Sequence, residues 1–125
     1  MSETSDSLSA QALIHDLMPK FKAAETFIHD TLRSKIERCY DPAEKLRLKN
    51  LKIEFELETV MIRMNLKHLM QRYSAELVEF QEGANEGALL ELQEEEGIAI
   101  GNLRRLYQRA QEWQTDREGL RYDGR

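Results

Sequence analysis

The sequence predicts an all-α fold: an elongated antiparallel bundle of three long helices, the first broken or kinked near Pro19, with no sheet. Three observations predict it. Apolar residues recur at steps of three and four along most of the chain. Six glycines and two prolines in 125 residues are too few for a turn-rich sandwich or barrel. The turn signals sit at two places, Asp41-Pro42 and Gly83 to Gly87, and connections that short lay successive helices antiparallel. The bundle is expected over 8–118, between a polar amino-terminal tail, 1–7, and a flexible carboxyl-terminal tail, 119–125, that have little to bury.

In the first arm Leu13, Ile14, Leu17 and Met18 mark a short helix, 8–17, and Phe21, Ala24, Ile28, Leu32, Ile36 and Cys39 mark a second, 19–38. Pro19 either opens the second helix, where its missing N–H costs nothing, or kinks a continuous one against the His15 carbonyl. Asp41-Pro42-Ala43-Glu44 then reads as a helix start: Asp41 to accept from the first N–H groups, Pro42 with φ already set, Glu44 to reach back in a capping box.

No Gly or Pro follows until Gly83, so one helix is expected over 42–82, roughly 60 Å long. Leu48, Leu51, Phe55, Ile62, Leu66, Leu69, Tyr73, Leu77 and Phe80 form one winding stripe, and Leu46, Ile53, Leu57, Val60 and Met64 form a second face. Two apolar faces require neighbours on two sides, so this helix is expected at the centre, its amino-terminal half most heavily covered. Gly83 closes it and Asn85 caps the next, about 86–117, where Leu89, Leu92, Glu96, Ala99, Leu103, Leu106, Ala110 and Trp113 make a heptad seam holding one carboxylate. Gly97 and Gly101 fit a close crossing or a local bend.

Acids outnumber Lys plus Arg by 23 to 18, for a formal charge of -5, which argues against general polyanion binding but leaves room for a local basic patch. Cys39 is the single cysteine, so no internal disulfide forms; no apolar run nears the roughly 18 residues that cross a bilayer; MSETSDSLSA has no secretory h-region. A cytoplasmic protein without a membrane partner is expected.

Metal ligands are scarce. His15, His29 and His68 are scattered, only Glu25 and His29 pair at one-turn spacing, and neither Glu-x-x-His nor a companion for Cys39 occurs. Nucleophile elbow, dinucleotide and phosphate-loop motifs are missing, and Gly97 to Gly101 has the wrong spacing for the last two, so neither metal nor cofactor is expected. Glu58 and Glu96 fall in apolar seams, where each must find a donor, reach solvent or accept a raised pKa; Arg63, Lys67, Arg104 and Arg105 are the candidate donors. A small all-helical enzyme for an anionic metabolite could be built from such groups.

Charge distribution points elsewhere. Arg33, Lys35, Arg38, Lys45, Arg47, Lys49 and Lys52 gather about the first turn against three acids, while 82–97 carries Glu82, Glu86, Glu91, Glu94, Glu95 and Glu96 and no base. A bundle so polarised suits a charged partner or pairing of copies. The expected function is a non-enzymatic helical protein–protein interaction module, an adaptor, regulator or chaperone-like protein that self-associates as a homodimer. Arg38, Lys45, Arg47, Lys49, Lys52, Glu94 and Glu95 are the expected partner-binding residues. The alternative is a nucleic-acid-binding regulator using the basic turn 33–52, with Tyr40 as its aromatic.

Overall fold

A computed structural model describes residues 7–83 and 87–122, with side chains as far as Gln114. The chain forms an all-α, multi-helix packed domain to which one small pair of strands is added. Strand β1 (Ser7–Ser9) leads into a helical run made of α1 (Ala10–Ala12), a π turn (Leu13–Leu17), α2 (Met18–Thr26), a second π turn (Phe27–Leu32) and α3 (Arg33–Arg38). Then come α4 (Pro42–Arg72), α5 (Ser74–Gln81), strand β2 (Leu89–Glu91) and α6 (Glu94–Tyr122).

Pro19 does not split the first run into two helices as the sequence suggests. The His15 carbonyl that Pro19 cannot serve lies within the first π turn, whose wider winding passes the proline one residue into α2. Buried Leu13, Leu17, Phe21, Ala24, Phe27, Ile28, Leu32 and Ile36 keep one side of the run on the core. They share one core cluster with Leu48, Phe55, Ile62, Leu66 and Leu69 of α4 and Ile100, Leu103, Leu106 and Ala110 of α6, with Phe27 edge-on to Phe55 at 6.3 Å between centroids. Leu92, partly buried, and the four apolar positions of the predicted α6 seam from Ala99 to Ala110 thus pack within the chain.

Four expectations are corrected. The helix drawn over 42–82 bends at Tyr73 (φ -118°, ψ 29°), where the Tyr73 hydroxyl accepts from the Glu91 N–H at 3.0 Å and ties the bend to β2. Sheet is present: β1 and β2 pair antiparallel with Leu8 opposite Leu90, and the Ala10 N–H extends the contact to the Ala88 carbonyl at 2.8 Å. The last helix consequently starts at Glu94, eight residues later than expected. At the start of α4, Pro42 holds the first helical position, but Asp41 makes no side-chain cap and Glu44 turns to Arg47 instead of reaching back.

Gly83, at φ 83°, closes α5 in the left-handed conformation that favours glycine. The cap expected at Asn85 lies outside the described residues. So does the expected tail 1–7 apart from Ser7, and of 119–125 only helical backbone to Tyr122 is described.

No neighbour lies on the second apolar face of α4 among the described residues. Leu46, Ile53, Leu57, Val60 and Met64 are all exposed, because the helical run 10–38 and α6 both pack on the opposite side, along Leu48, Phe55, Ile62 and Leu69. The centre expected for this helix is instead an outer ridge.

Candidate functional site

Two arrangements carry most of the polar and apolar information in the molecule: a buried carboxylate at the acidic end and the uncovered face of α4. Glu96, 1% exposed, sits in the first turn of α6. Its carboxylate accepts from Arg72 Nε at 2.9 Å and Arg72 Nη2 at 2.6 Å, from the Gln93 N–H at 2.8 Å, and lies 2.7 Å from His68 Nδ1. Burial pushes its pKa up, but the bonds from Arg72, Gln93 and His68 and the Arg72 charge outweigh burial and hold it at about 2.

Arg72 also donates to the Glu91 carbonyl at 2.7 Å, so one guanidinium joins α4, β2 and α6. None of the donors expected from the sequence, Arg63, Lys67, Arg104 or Arg105, takes part. Spacing could have suggested them: His68 and Arg72 are four apart on one face of α4, a turn from the helix end. With its acceptors taken by the protein itself, this cluster holds elements together and presents no vacant oxygen to a ligand. Glu58 is only partly buried; the seam position beside it belongs to Thr59, whose hydroxyl donates to the Glu56 carbonyl at 2.8 Å.

The basic turn is gathered as expected, and much of its charge is already engaged. Arg47 forms a bidentate pair with Glu44 (3.0 and 2.6 Å), which holds the Glu44 carboxyl below the usual carboxylate range. Lys52 meets Glu56 at 2.6 Å and Arg33 meets Glu37 at 3.8 Å. Trp113 of α6 lies under both Lys35 and Arg47, at 5.6 and 5.5 Å. Arg38, Lys45 and Lys49 make no ion pair among the described residues. Glu94 and Glu95 are exposed in the first turn of α6, where the helix dipole favours acids, and Glu95 lines a shallow cleft with Met61, Asn65 and Ile98. The two charged ends thus lie at opposite ends of α4, as the sequence polarity suggests.

An open groove of about 530 Å³ runs between the helical run 10–38 and α4, lined by Lys22, Glu25, His29, Asp30, Thr59 and Arg63 among others. Arg63 is paired with Glu25 across it, and His29 Nδ1 lies 3.2 Å from Asp30. No group of three or more His, Cys, Asp or Glu side chains able to hold a metal ion occurs among the described residues. No described helix is long and apolar enough to cross a membrane.

The uncovered face of α4 gathers most of the large exposed apolar side chains among the described residues. Leu46, Ile53, Leu57, Val60 and Met64 follow heptad steps of seven, four, three and four, and Asn50 takes the position between Leu46 and Ile53. Met61 and, from α6, Ile98 widen it on one side. Composition and periodicity identify the first five residues; Asn50, Met61 and Ile98 become part of the surface only once the packing of α6 is known. No family model, curated protein or solved structure matches the chain.

Proposed function

We propose that the protein is a non-enzymatic helical interaction module, an elongated antiparallel three-armed bundle whose working surface is the outer stripe of α4. The observation that carries this reading is the apolar heptad stripe left in water along a helix of 31 residues whose opposite side holds the core. Scattered exposed apolar residues need no partner, but a contiguous stripe along a helix is a surface built to be covered. A docked helix would gain about 25 cal/mol for each Å² of apolar area it removes from water. The paired, acceptor-saturated Glu96 supports the same reading, since it spends its charge on the fold, as do the Arg47–Glu44 and Lys52–Glu56 pairs of the basic turn.

In this reading the protein resides in the cytoplasm, in keeping with its single free thiol, Cys39, and acts through protein contacts without metal or cofactor. The charged residues that flank the stripe, Lys49 and Glu95 among them, steer the partner. Capture on immobilised full-length protein tests it: wild type retains a stoichiometric protein, a further copy of the chain included, and Leu57→Glu releases it without loss of helical signal. Equal retention by both would remove α4 from the function.

A further inference from the structure

We propose that the occupant of the α4 stripe is the same stripe of a second copy, aligned parallel and in register as a two-stranded coiled coil in which Asn50 meets Asn50. The inference rests on the interaction reading above and names its partner. Seven large apolar side chains contribute: Leu46, Ile53, Leu57, Val60, Met61 and Met64 of α4 and Ile98 of α6, with Leu57 and Met64 each 63% exposed. Together they leave on the order of 700 Å² of apolar surface in water, near the roughly 800 Å² that each partner brings to a stable interface. With Ile98 of α6 beside it, the stripe therefore approaches the extent that a dimer needs.

Charge selects the orientation. In a parallel pair the residue flanking the seam just before one position faces the residue five places later on the other copy. Lys49 then meets Glu54 of the second copy on both sides of the seam. Both residues are exposed, and neither makes an ion pair among the described residues. Leu46, Ile53, Leu57, Val60 and Met64 each pack against their own counterparts.

An antiparallel pair placed to bury the same stripe sets Leu46 against Met64 and Ile53 against Leu57. It also brings Glu56 to Glu56, Glu54 to Glu54 and Lys49 to Arg63, three like-charge contacts that oppose it. Sliding the antiparallel pair until Lys49 meets Glu56 relieves these contacts but takes Met64 past the end of the partner helix and sets Asn50 against Ile53. Only the parallel alignment satisfies seam and flanks together. Asn50 fits it as well, because paired asparagines at one seam position fix register and restrict the assembly to two strands.

Cross-linking of the full chain in a Cys39→Ser background tests the orientation. Met64→Cys copies should join to each other under mild oxidation, while Leu46→Cys mixed with Met64→Cys should give no mixed product beyond random exchange. Lys49→Glu should weaken the dimer about tenfold or more, and adding Glu54→Lys should restore it; Asn50→Leu should admit species larger than a dimer. A dimer that links Leu46→Cys to Met64→Cys, or that the charge exchange fails to restore, overturns the parallel arrangement and leaves the interaction reading in place. A chain that stays monomeric at about 100 μM overturns the self-pairing, and the reading then stands or falls by the loss of another captured protein in Leu57→Glu.

Discussion

Glu96 shows how far a single position could be understood before its surroundings were known. Its place in an apolar seam is legible from the steps of three and four around it, as is its need for donors. The i, i+4 spacing of His68 and Arg72 marks them as a possible pair of donors, but β2 intervenes before α6 and decides which turn of α4 the carboxylate reaches. Its ordinary value of 4.5 falls to about 2 in the folded chain. A depressed carboxylate stabilises the fold above its unfolded pKa and loses that contribution as pH falls through the folded one. Between about pH 5 and pH 2 the protein should therefore lose on the order of 3 kcal/mol from this residue alone. Urea titrations at stepped pH check it. Glu96→Gln should be less stable at pH 7 and should lack that share of the acid dependence; an unchanged dependence would refute the role given to the Arg72 and His68 contacts.

At the level of elements, periodicity located the helices well and their interruptions poorly. The start at Pro42 and the core stripe from Leu48 to Phe80 are where the sequence puts them, since both follow from local sterics and helical spacing. Three-residue strands are too short to show a period of two, and the bend at Tyr73 coincides with a hydroxyl bond to a strand 18 residues away that helical spacing does not reveal. The second face of α4 was visible as a pattern, but the pattern alone could not say whether this chain or another covers it.

The two faces can be separated by substitution. Phe55→Ala removes a fully buried ring and should cost about 3–5 kcal/mol of folding stability. Leu57→Ala, two residues on, should alter monomer stability by no more than about 0.5 kcal/mol. Chemical denaturation at low protein concentration distinguishes them, and a Leu57 penalty as large as that of Phe55 would place the stripe inside the fold.

Taken whole, the molecule is polarised by charge along α4 and apolar along one ridge of it. Of the seven bases around the first turn, Arg33, Arg47 and Lys52 are held by acids of the same chain while Arg38, Lys45 and Lys49 are not, and the formal charge of -5 on the whole chain opposes a phosphate backbone. Fluorescence anisotropy with mixed DNA and RNA at about 50 mM salt should stay flat to roughly 50 μM protein. A salt-sensitive rise abolished by Lys45→Ala, Arg47→Ala and Lys49→Ala together would favour the nucleic-acid alternative. The central claim, that the outer stripe of α4 is covered by the same stripe of a second copy, meets its most direct test in sedimentation equilibrium of the full chain from about 1 to 100 μM. Wild type should pass from monomer to dimer across that range, whereas Leu57→Glu should remain monomeric with its helical signal intact. Wild type and Leu57→Glu showing the same mass at every concentration would contradict the claim.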